Sequence, residues 1–87
     1  MLRMTRSVSN GTETVSLEGK LLRPWVEALR AEVESVSSTT HSTRIDLAAL
    51  TFVDVAGLKQ LLDFERQGIE LVGASAFVRG LLELHRR

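Results

Sequence analysis

The sequence predicts an α/β fold: a mixed, mostly parallel four-stranded sheet with an N-terminal β-hairpin and three helices, in the order β-β-α-β-α-β-α. Three observations carry this. Residues 2–8 and 12–17 alternate in polarity on either side of Asn10-Gly11, a pair suited to a type I′ turn that needs φ > 0 at both positions. Three later windows repeat apolar residues at spacings of three and four, the period of a one-sided helix. Two short apolar runs, 44–53 and 69–72, separate those windows. Strands alternating with helices imply parallel pairing through right-handed crossovers.

In the first strand Leu2, Met4 and Val8 share one face and Arg3 and Thr5 the other, with Arg6 interrupting the apolar side. That pattern suits an edge strand. The returning strand sets Val15 and Leu17 against Thr14 and Ser16, and Gly19 is expected to end it. A helix over 22–36 gathers Leu22, Trp25, Val26, Leu29, Val33 and Val36 on one side, with Pro24 in the first turn, where no backbone donor is lost. Ser35–Thr43 reads as a polar loop. Arg44–Val53 carries apolar residues on both sides, which predicts a central strand covered on two faces. A second helix runs from about Ala56 to Arg66, ended by Gly68, and Ile69–Val72 forms the last strand. Ser75 is a natural N-cap for a final helix whose apolar face holds Phe77, Val78, Leu81, Leu82 and His85.

The length, 87 residues, suits one domain over 1–87, and 44% hydrophobic with 25% charged residues supports a packed core. Eleven basic and eleven acidic residues cancel, which argues against non-specific nucleic-acid binding and against anionic membranes. The absence of cysteine excludes disulfides and thiolate chemistry. No apolar run approaches the roughly 20 residues that cross a bilayer, and the N-terminus lacks a signal-peptide stretch, so a cytoplasmic location is expected.

The run Ile45-Asp-Leu-Ala-Ala-Leu-Thr-Phe-Val-Asp-Val-Ala-Gly-Leu58, between the third predicted strand and the second helix, resembles the signature of STAS domains. That family includes the anti-sigma-factor antagonists of bacteria and the cytoplasmic tails of sulfate transporters, and typically reads Leu-Asp-Leu-Ser-x-Val-x-Phe-Ile-Asp-Ser-Ser-Gly-Leu here. Val15-Ser-Leu-Glu-Gly19, Leu71-Val-Gly73 and Phe77-Val-Arg-Gly-Leu-Leu-Glu-Leu84 are similar to further family segments. The resemblance implies a non-catalytic interaction module of bacterial signalling and transcription regulation. Its partner would be an anti-sigma factor or another signalling protein, and its contact surface Asp54, Val55, Ala56, Gly57 and Leu58. Switchable antagonists carry a phosphorylatable serine where this chain has Ala56, so regulation by phosphorylation at that position is not expected. The chain also stops after its third helix, where many members continue.

The same residues admit other readings. Asp54 could accept phosphate like a receiver aspartate, but no acidic pair for magnesium precedes its strand, and an N-cap is expected instead. Asp46 and Asp54 could form a catalytic pair, yet they lie several residues apart along one strand. His41 and His85 make a weak metal signal, and no cofactor or metal is expected. Phosphorylation of Ser75 or of the Ser35–Ser42 cluster is less expected than a cap and a linker. Trp25 should be partly buried, and Phe64, off the apolar stripe, more exposed and better placed for a partner. The alternative functions are a small-ligand or nucleotide sensor, although no glycine-rich phosphate loop occurs, and a degenerate scaffold that homodimerises through its edge strand.

Overall fold

The computed structural model describes residues 2–37 and 42–86. Its elements are β1 (Leu2–Ser9), β2 (Thr12–Leu21), α1 (Arg23–Ser37), β3 (Ser42–Val53), α2 (Val55–Arg66), β4 (Glu70–Val72) and α3 (Ala76–Arg86). The predicted order holds. The strands lie side by side in the order β1-β2-β3-β4, with β1–β2 antiparallel and the other pairs parallel. Asn10 (φ 51°) and Gly11 (φ 80°) close the hairpin, with Ser9 opposite Thr12. The expected polar loop Ser35–Thr43 is narrowed at both ends, since Ser35–Ser37 belong to α1 and Ser42–Thr43 to β3; residues 38–41, including His41, fall outside the described residues, as does the side chain of Val36.

The core lies on one side of the sheet. Val15, Leu17 and Leu21 of β2 and Ile45, Leu47, Leu50 and Val53 of β3 pack with Leu29 and Val33 of α1, Leu58, Leu61 and Phe64 of α2, and Val78 and Leu82 of α3. On the other side Arg3, Thr5, Ser7, Glu18, Lys20, Arg44 and Glu70 are exposed.

Four further expectations are corrected. β3 is covered on one face, not two. Its mixed pattern comes from register shifts against β2, between the pairs Ser16↔Asp46 and Glu18↔Ala49 and again between Gly19↔Leu50 and Lys20↔Phe52. Each inserts an extra residue, so the inward positions fall at 45, 47, 50 and 53 rather than at every second residue. Asp46 Oδ1 accepts from the Ala48 amide (2.9 Å) and the Thr51 hydroxyl donates to the Gly19 carbonyl (2.9 Å), one bond at each irregularity. Gly19 does not end β2. It sits inside the strand at φ 105°, where only glycine is unstrained, and the strand continues to Leu21.

Phe64 is buried, at 1% exposure, because α2 packs against α1 on one side and α3 on the other, so its apolar stripe is wide. Trp25 is half-buried, as expected. Phe77 moves the other way. It is 53% exposed on α3, off the core.

At the hairpin end, Arg6 resolves the break in the apolar face of β1. It pairs with Glu13 (3.6 Å), which is nearly buried, and with Glu32 of α1 (3.0 Å).

Candidate functional site

β2, β3 and β4 run parallel, so α1, α2 and α3 all begin at the same end of the sheet. The turn from β3 into α2 lies at that end. Asp54 organises it. Its backbone is extended (φ −89°, ψ −178°), and its Oδ1 accepts from the Gly57 amide at 2.8 Å, an N-cap of α2. Its Oδ2 accepts from the Arg23 amide at the start of α1, also at 2.8 Å. One carboxylate therefore ties two helix starts together. The Asp54 amide donates to the Leu21 carbonyl (3.1 Å), and the Asp54 carbonyl accepts from Leu58 N–H (2.8 Å). The N-cap reading of Asp54 is the one the structure shows, with both carboxylate oxygens accepting from backbone amides.

Gly57 has its own constraint. A Cβ there would stand 2.6 Å from Val53 Cγ2 and 2.8 Å from the Leu21 carbonyl oxygen. The glycine permits a close approach inside the protein, between the start of α2 and the ends of β2 and β3. Leu58, 2% exposed, also faces the core. The outward side of the turn belongs to Val55, 56% exposed, and to half-buried Ala56.

Sequence reasoning missed two neighbours. Phe52, 40% exposed, stacks on Phe77 with ring centroids 6.3 Å apart and planes 24° apart. The contact joins the end of β3 to the first turn of α3. The irregularity at Thr51 is the local signal for Phe52, but the fold alone brings Phe77 to it. Ser75 caps α3 as expected, accepting from the Val78 amide (3.2 Å).

Asp46 lies within β3, and its carboxylate is directed to the Ala48 amide. His85 is exposed, with Nδ1 3.1 Å from the Leu81 carbonyl. A shallow hollow of about 430 Å³ opens beside β4 and α3, lined by Leu71, Gly73, Arg79, Leu82 and Arg86 among others. Arg86 is held there by Glu65 (2.7 Å) and Glu83 (3.2 Å). The hydrogen bond from Glu65 raises the Arg86 guanidinium above its ordinary range against the opposing effect of desolvation, with attraction to Glu65 and Glu83 adding to the rise. Among the described residues no group of three or more His, Cys, Asp or Glu side chains could hold a metal, and no helix is long and apolar enough to cross a membrane.

A sheet with one antiparallel edge pair, three helices on one face and a capped strand-to-helix turn defines a class of small α/β modules. A family model described as "Mlab, STAS domain" matches residues 4–86, and the chain belongs to the STAS-domain family. Solved structures agree in fold. An anti-sigma factor antagonist from Mycobacterium paratuberculosis is 23% identical with a TM-score of 0.83, covering 98% of this chain and 78% of that one. The anti-sigma factor antagonist SpoIIAA in its unphosphorylated form is 20% identical (TM-score 0.71, 95% and 82% covered). The murine anion transporter Slc26a9 is 25% identical (TM-score 0.67), with 88% of this chain matched to 14% of the transporter. No curated protein matches the chain.

Proposed function

We propose that this chain is a non-catalytic protein-interaction module of bacterial signalling, working in the cytoplasm, whose partner is an anti-sigma factor or a comparable signalling protein. The partner docks on the outward side of residues 54–58, with Val55 and Ala56 making contact and Asp54, Gly57 and Leu58 holding the turn in shape from within. The observation that carries this reading is the pairing of a rigidly tied turn with exposed apolar side chains, Val55 on the turn and Phe52–Phe77 beside it. Support also comes from the antagonists among the structural neighbours. Ala56 has no hydroxyl to phosphorylate, so docking is controlled by abundance or by the partner's own state.

The test is affinity capture on the immobilised chain, with the retained protein identified and its Kd measured. Val55→Asp and Phe77→Ser change exposed side chains and should leave the fold intact. Each should weaken the retained protein by about tenfold or more, as loss of an apolar contact near the centre of an interface does. Equal affinity for wild type and both variants would sink the reading.

A further inference from the structure

Eleven bases and eleven acids cancel in the chain as a whole, but they do not cancel locally. Arg6 engages two carboxylates, Glu13 and Glu32, and Arg86 engages Glu65 and Glu83. Asp46 and Asp54 turn theirs to backbone amides. Cations are consequently left over. Lys20, Arg23, Lys59 and Arg79 have no ion-pair partner among the described residues, whereas Arg3, Arg30, Arg44 and Arg66 each have one.

Three of the four unpaired cations lie within a register pair, a backbone bond or one helical turn of residues 52–55. Lys20 stands beside Phe52 in register. Arg23 opens α1, and its amide is bonded to Asp54. Lys59 follows Val55 by four residues, one turn along the same face of α2. None of the three helices starting at this end has an acidic residue in its first turn, so their positive dipole ends are offset there by little beyond Asp54.

Resting on the docking reading above, we infer that the partner presents an acidic protein segment with an apolar side chain at its centre. The apolar residue sits against Val55 and the Phe52–Phe77 pair, and its acidic flanks meet Lys20, Arg23 and Lys59. An apolar centre with a charged rim is the anatomy of a protein contact, and opposite charge speeds encounter and fixes orientation. Nucleic acid is the poorer fit. It needs a larger basic excess than a neutral chain carries, and the two exposed rings here are stacked on each other rather than open to bases.

The experiment is a selection of random peptides displayed on phage, run against wild type, a Lys20→Glu/Arg23→Glu/Lys59→Glu variant and Val55→Ser. All four positions are exposed, and Arg23→Glu puts an acid in a helix first turn, so the variants should fold, which circular dichroism checks. Wild type should enrich peptides with Asp or Glu flanking an apolar residue. A synthesised representative should bind about tenfold more weakly to the charge-reversed variant, and its affinity should fall with added salt. Neutral or basic peptides, no enrichment at all, or equal binding by the charge-reversed variant would overturn the inference. So would tighter binding of single-stranded DNA or phosphatidylserine vesicles than of the peptide. If Val55→Ser loses the peptide while charge reversal does not, the docking reading survives and the acidic partner does not. If Val55→Ser binds like wild type, the docking reading fails.

Discussion

The two ends of the sheet use charge in opposite ways. At the hairpin end Arg6 links β1 to Glu13 and to Glu32 of α1, so the charges there close on one another. At the end where the helices begin, the carboxylate of Asp54 is turned inward to two backbone amides, and Lys20, Arg23 and Lys59 are exposed with no ion-pair partner among the described residues. The first end holds the fold with side-chain pairs. The second holds it with backbone bonds and leaves side chains, apolar and basic, available to something else. A binding surface needs both properties at once: a fixed backbone and side chains not already engaged.

The largest loss is expected at Gly57. Gly57→Ala places a methyl group against the Leu21 carbonyl and Val53, contacts too close to relax without moving backbone, and should lower stability by about 3 kcal/mol in urea denaturation. Asp54→Ala removes the cap of α2 and the tie to α1 together, and a loss of about 2 kcal/mol is expected. The corresponding change at the hairpin end is Arg6→Ala, which leaves Glu13 nearly buried without its cation. About 1 kcal/mol should be lost, less than at Asp54, because Arg6 itself is exposed. A larger loss at Arg6 than at Asp54 would reverse the contrast drawn between the ends. Gly80→Ala belongs to neither region. Its added methyl would meet nothing within 4 Å, and the α3 interior should gain about 0.5–1 kcal/mol in the same measurement.

Much of this was legible in the sequence. The hairpin turn, the helix periods and the alternation of elements are local signals, and all three survive in the structure. The Asp54 N-cap is equally local, since it reaches only to Gly57. Its second bond is not, because Arg23 is 31 positions away and nothing in the pattern around either residue announces the contact. β3 misled for a related reason. A strand with two bulges has the polarity pattern of a strand buried on both faces, and only the pairing with β2 separates them. Phe64 and Phe77 exchanged their expected places because helix stripes describe a helix against one surface. α2 meets neighbours on two sides, and α3 leaves Phe77 outside the core to stack on Phe52.

If Asp54 and Gly57 hold the turn from within while Val55 serves a partner, a change at Val55 should separate binding from stability. The most direct test compares Val55→Asp with wild type for two quantities in the same preparation: the urea midpoint and the Kd of the retained partner. The prediction is an unchanged midpoint with binding weakened by about tenfold or more. A lowered midpoint with unchanged affinity would contradict the account, because Val55 would then belong to the fold and not to the surface.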